Sequence, residues 1–260
     1  MSALSMGIGA LMALGGAYLA FVQKKKSEGE ITELKFSKNS TLPDIKNAWK
    51  SVAEQGLGYR DFIETTGKAV TDGELLSPHG KIPCAYFSAT VVREFEKDEM
   101  VKDDKGVVQR KTTRGSETVS SQNSPTPLYV EDGGVRVPID LDGASIDLKD
   151  GANRFEPYDS TRTYSFWGVS FQVPQATRTL GFRYAEKIIP LGHPLYIAGE
   201  VRESAGNLHI GRPSEKGKPF IVSVKSEEEV VKSRESGAKA QLWLGIALIV
   251  AGIAVAIFVK

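Results

Sequence analysis

Residues 240–259 read AQLWLGIALIVAGIAVAIFV, twenty positions with no charged side chain. As a helix rising ~1.5 Å per residue, such a stretch spans roughly 30 Å, the depth of a bilayer's hydrocarbon core. A core helix of a water-soluble domain seldom runs that far with a single polar side chain, here Gln241, at its edge. The expectation is a transmembrane helix over 240–259, followed in this sequence by Lys260 alone.

Working back from there, residues 1–22, MSALSMGIGALMALGGAYLAFV, form a second uncharged run, followed closely by Lys24, Lys25 and Lys26. A cleaved signal peptide carries its positive charge before the apolar stretch. Here the charge comes after it, which predicts a retained anchor. Cytoplasmic flanks of membrane spans are enriched in Lys and Arg. Lys24 to Lys26 on one side and Lys232, Arg234 and Lys239 on the other therefore place the interior in the cytoplasm. Small residues recur at four-residue spacing in both runs: Ala3, Gly7 and Gly16, Ala20, then Ala247, Ala251 and Gly252, Ala256. That spacing allows close helix approach, either between the two spans or with a second copy of the chain.

All 32 acidic residues and all basic residues but Lys260 lie between the two runs. The interior is electrically balanced and offers nucleic acid no electrostatic footing. Residues 23–56 read as a linker and an amphipathic helix. Ile45, Ala48, Trp49 and Val52 fall at helical spacing, with Thr41 and Asp44 as a capping box and Gly56 as the stop. Such a helix covers a sheet or lies on lipid; its narrow apolar face favours the sheet.

Residues 57–225 change period from helical to two. Candidate strands are 59–65, 68–70, 85–96, 107–112, 128–130, 135–141, 182–189, 195–201, 208–210 and 220–224. Asp103-Asp104-Lys105-Gly106 and Asp132-Gly133-Gly134 mark hairpin turns. After the latter, Val135, Val137, Ile139 and Leu141 alternate with Arg136, Pro138 and Asp140, giving one buried and one wet face. Residues 115–127 and 150–165 read as loops. Ser226 and Glu229 form another capping box, opening a helical connector over 226–239 that runs into the last span. The fold expected is mainly β, a sandwich or partly open barrel with one short amphipathic helix, flanked by two transmembrane α-helices.

Few residues offer chemistry. The single cysteine, Cys84, excludes an internal disulfide. It and the three histidines, His79, His193 and His209, lack the CxxC or HxxxH spacing of a zinc site. Cys84 with His79 is the one nucleophile–base pairing to weigh, and a small buried hydrophobe is the plainer role for Cys84. Asp140, Asp142, Ser145 and Asp147 have the look of a calcium loop, but Gly151 stands where its bidentate glutamate belongs. No phosphate loop, nucleophile elbow or dinucleotide fingerprint occurs. No catalytic, cofactor-binding or metal residue is assigned from the sequence.

The order LLSPHGKIPCAYF (75–87), LYVEDGGVRVPIDLDGASID (128–147), YAEKIIPLG (184–192), LYIAGEV (195–201) and PFIVS (219–223), closed by the last span, resembles the GIDE domain, also called BAM for "beside a membrane". That resemblance covers about residues 55–260. It implies a membrane-flanked β domain, known from organelle outer-membrane RING ubiquitin ligases and from prokaryotic membrane proteins without a RING. In the ligases a zinc-binding RING follows the second span and needs about eight Cys or His ligands. This sequence holds four such residues, so ligase activity of its own is not expected. The organelle relatives also imply the opposite, extracytoplasmic, placement of the domain. The expectation is a non-catalytic, membrane-anchored interaction or scaffold module, in a role such as envelope stress or membrane organisation. Its partners would be membrane lipid and either an unidentified protein or further copies of itself through the small-residue faces. The alternative is an enzyme, either a ubiquitin-ligase-like protein working with a separate RING subunit or a Cys84/His79 thiol hydrolase.

Overall fold

A computed structural model describes residues 3–36, 39–102 and 107–258. The elements are α1 (Ala3–Ala17), a π-helical turn (Tyr18–Gln23), α2 (Lys24–Phe36) and α3 (Leu42–Ala53). Strands follow as β1 (Arg60–Thr71), β2 (Cys84–Lys102), β3 (Val108–Asn123), β4 (Leu128–Asp132), β5 (Val135–Ile139), β6 (Ser145–Asp147) and β7 (Lys149–Pro157). The chain continues through β8 (Tyr164–Phe166), β9 (Val169–Phe171), β10 (Arg178–Pro190), β11 (Pro194–Ser204), β12 (Asn207–Gly211) and β13 (Ile221–Ser223) to α4 (Glu227–Phe258). One sheet runs β1-β4-β5-β12-β11-β13-β6, and β1 also pairs with β11, closing five of these strands into a barrel. A second sheet runs β3-β2-β10-β7, and β8 pairs with β9. The mainly β architecture with a helix at each end is the one expected.

The chain divides into two compact units, Met1–Gly67 with Glu131–Asp147 and Pro194–Lys260, and Lys68–Val130 with Leu148–His193. In the first, β11 is buried on both faces from Leu195 to Val201, as befits a central strand. Leu34 of α2 and Val230 of α4 pack onto Tyr196 and Ala198 of β11 and Ile221 of β13. Both helices that lead out of the apolar runs thus seat on the sheet. Helix α3 starts at Thr41, whose hydroxyl oxygen accepts from the Asp44 amide at 3.3 Å. The helix buries Leu42 and Ile45, and Trp49 Nε1 donates to Glu203 Oε2 at 3.0 Å. It therefore rests on the sheet, with Pro43 against the β4–β5 turn. Gly133 and Gly134 in that turn have φ of 54° and 74°, values at which a side chain would be strained.

Two helices are long and apolar enough to cross a membrane, Met6–Lys35 and Glu227–Ile257. α4 is unbroken from its capping box, in which the Glu229 amide donates to Ser226 Oγ at 3.3 Å and the Ser226 amide to Glu229 Oε2 at 2.9 Å. The two apolar helices pack antiparallel. A β carbon at Gly9 would come within 2.5 Å of the Gly252 carbonyl oxygen, and one at Gly16 within 2.5 Å of the Gly245 carbonyl oxygen. The seam uses Gly16, Ala20, Gly252 and Ala256 from the small-residue faces. It is set, however, by a seven-residue repeat, Gly9 to Gly16 and Gly245 to Gly252, that the four-residue pattern does not reveal.

In the second unit, β10 lies between β2 and β7, all antiparallel. Arg93 on β2 is 1% exposed. Its guanidinium donates to Thr179 Oγ1 and Glu117 Oε1, each at 2.7 Å, and to Thr177 Oγ1, and lies 4.7 Å from the centroid of the Phe95 ring. The expected loops at 115–127 and 150–165 need correction. β3 reaches Asn123 and β7 occupies Lys149–Pro157. Both are mixed polar strands at the sheet's margins, held by pairing to β2 and β10 rather than by an apolar face, so no alternation announces them. The strands expected at 59–65 and 68–70 are one, β1. The turn expected at 103–106 lies outside the described residues.

Candidate functional site

A buried polar group of the second unit is centred on Glu186, which β10 carries on the same face as Phe182 and Ile188. Glu186 is 4% exposed. Its Oε1 accepts from Ser77 Oγ at 2.7 Å, the Gly80 amide at 3.0 Å and the Ala152 amide at 3.2 Å, and its Oε2 accepts from the His79 amide at 2.9 Å. Burial alone would raise this carboxyl's pKa; the hydrogen bonds from Ser77, His79, Ala152 and Gly80 outweigh it and hold the pKa below the ordinary carboxylate value. The Ser77 hydroxyl oxygen also accepts from the Ile82 amide at 3.0 Å, so the loop between β1 and β2 is wound around one carboxylate. Gly80 and Gly151 leave the room it needs: a β carbon would meet Glu186 at 2.6 Å and 2.8 Å respectively.

His79 follows from that winding. Its ring stands edge-on to Tyr184 with centroids 5.3 Å apart, and 6.0 Å from Trp167. Nε2 is enclosed and finds no hydrogen-bond partner among the described residues, and burial lowers the imidazole's pKa, which favours the neutral ring. Arg154 donates from Nη1 to the His79 carbonyl at 3.3 Å while its guanidinium lies 5.0 Å from the Tyr184 centroid.

Cys84 opens β2 at 0% exposure, packed with Phe87, Ala89 and Ile188. Burial, followed by the charge of Glu186, pushes its thiol up to about 11. At neutral pH roughly one molecule in ten thousand then carries a thiolate. Such a sulfur is a packing group, with Sγ 3.8 Å from the Leu75 carbonyl oxygen.

The other sequence candidates are engaged in contacts of their own. The His193 carbonyl closes a turn by accepting from the Ala69 amide at 2.9 Å. In the first unit, His209 Nε2 accepts from Arg202 Nε at 2.7 Å, and burial, then Arg202's charge, lowers its pKa. Asp140 accepts from the Asp142 amide at 3.2 Å, and Asp147 binds Lys225 Nζ at 3.0 Å and Ser223 Oγ at 3.1 Å. These aspartates make a turn and an ion pair. Among the described residues no three His, Cys, Asp or Glu side chains gather to hold a metal, so this stretch does not fit the zinc of a RING. Glu186 was not singled out from the sequence, although a carboxylate at an inward position of an apolar strand is itself the signal.

Fold and site together define a class: a mostly β protein carried on two paired helices of bilayer length, whose one thiol is sealed and un-ionised. A family model described as GIDE, E3 ubiquitin ligase, matches residues 96–257, and the chain belongs to the GIDE family. It is similar to an E3 ubiquitin-protein ligase, SPL1, of Arabidopsis thaliana, with 30% identity over 116 residues. That alignment takes in 42% of this chain and 32% of the plant protein, so the chain spans about a third of its relative's length. No solved structure matches.

Proposed function

We propose that the protein is a membrane-anchored interaction module that carries out no chemistry of its own within these residues. The carrying observation is that the groups with chemical potential are already committed. The Glu186 carboxylate is taken up by four donors, and Cys84 is buried as a neutral thiol. Affinity capture after crosslinking in intact membranes tests the reading. Recovery of a defined protein partner or of further copies of the chain is expected, and a lone monomer at every crosslinker concentration would overturn it. Envelope stress and membrane organisation are the settings such a module fits. Positive charges flanking both apolar runs favour a cytoplasmic domain. Protease added outside sealed, right-side-out membranes should leave it intact.

The family's description and the plant relative's name support a second reading, a ligase-like protein that works with a separate RING subunit. Purified protein mixed with ubiquitin, activating enzyme and conjugating enzyme distinguishes the two. Under the first reading, adding this chain to a RING subunit leaves ubiquitin transfer unchanged; under the second, the chain and the subunit together transfer more than the subunit alone.

A further inference from the structure

In the first unit a cavity of about 670 Å³ opens between α2, α4, the β5–β6 turn and the loop that joins β12 to β13. That volume lies within the ~300–1,000 Å³ usual for small-molecule sites. Five cations line it, Lys26, Arg212, Lys216, Lys218 and Arg234, against two carboxylates, Glu30 and Glu215. Both carboxylates are already used: Arg234 Nη1 lies 3.0 Å from Glu30 Oε2, and Lys218 Nζ lies 2.9 Å from Glu215 Oε2. Lys26, Arg212 and Lys216 make no ion pair among the described residues. The cavity is therefore left with three uncompensated positive charges.

The loop is built rather than slack. Ser214 donates to Glu200 Oε2 from its amide at 3.0 Å and from Oγ at 2.6 Å, and Glu200 is 5% exposed. Arg212 lies across Gly143, whose φ is +74°; a β carbon there would meet Arg212 Cδ at 2.9 Å.

Depth decides what fills the cavity. Lys26 comes four residues after Val22, and Arg234 six before Ala240. At ~1.5 Å per residue, these side chains start about 6 and 9 Å beyond the apolar ends. The headgroup layer on each side of a bilayer is roughly 5–8 Å thick. Lys26, at the mouth of the cavity, therefore starts at the depth of the lipid phosphates, and the Arg234–Glu30 pair just beyond it.

We propose that this cavity binds the phosphate of an anionic lipid headgroup, a selectivity that rests on the membrane-anchored reading above. A cation near an anionic surface is worth about fivefold in affinity. Native mass spectrometry of the full chain in neutral detergent, titrated with phosphatidylglycerol, phosphatidylcholine or inorganic phosphate, gives the test. Phosphatidylglycerol should be retained in preference to phosphatidylcholine. Arg212→Gln with Lys216→Gln should weaken that retention by about 25-fold. Arg212→Lys with Lys216→Arg should largely restore it. Lys25→Gln with Lys50→Gln, which removes equal charge outside the cavity, should leave it within about twofold. Equal retention of the two lipids, or equal losses in the two Gln pairs, overturns the proposal. Inorganic phosphate bound through Arg212 and Lys216 without lipid preference also overturns it, in favour of a soluble anion. Alkaline carbonate extraction keeps the two readings separable: release from the membrane fails both, whereas retention without lipid preference fails this one alone.

Discussion

Glu186 shows how one residue can organise a loop without doing chemistry. A glutamine at this position keeps the volume but turns an amide group toward donors that need an acceptor. Glu186→Gln should cost about 2–3 kcal/mol, read as a fall in melting temperature in detergent with the secondary structure retained. The carboxylate's depressed pKa gives the effect a direction in pH. Its stabilisation is complete above the ordinary value of 4.5 and is lost as pH falls through the lower folded value. Between pH 6 and 3 the native protein's melting temperature should drop more steeply than that of Glu186→Gln. At Cys84 the expectation concerns reactivity. Iodoacetamide at pH 7.5 should leave the folded protein unlabelled over hours and modify it fully in denaturant. Rapid labelling of folded protein would revive a thiol-based enzyme. Glu186 was within reach of the sequence, because the β10 alternation sets it among inward apolar positions. Its four donors come from two segments distant in sequence, and no local pattern announces them.

Among the elements, the two capping boxes and the β4–β5 turn were legible because each is a short-range matter of side-chain chemistry and positive φ. β3 was legible only in its first residues, within the strand expected at 107–112; the rest was not, since its register is written in β2: Lys102 pairs with Val108 and the ladder runs back to Ser88 and Asn123. The seam between the apolar helices was half legible. Small residues advertised close approach, but the seven-residue repeat emerges only when the helices are set side by side. Gly16→Leu or Gly245→Leu should force the backbones apart. The expected loss is about 1–3 kcal/mol in unfolding from mixed micelles. Gly7→Leu should change little, as a β carbon there meets nothing within 4 Å.

For the molecule as a whole, length and hydropathy alone announced two helices of bilayer length, and the GIDE membership agrees with a domain held beside a membrane. The chain forms two compact units whose segments alternate along it. Sequence periodicity reports which face a strand buries but not which distant strand it joins, so such interleaving leaves no local trace. The uninterrupted course of α4 carries a mechanical corollary. A helix without a hinge cannot absorb a change of tilt at mid-length, and thinning or thickening of the lipid is met by tilting. Val230, near the other end of the same helix, packs with Tyr196 and Ala198 of β11, so a tilt of α4 should be felt first at that strand.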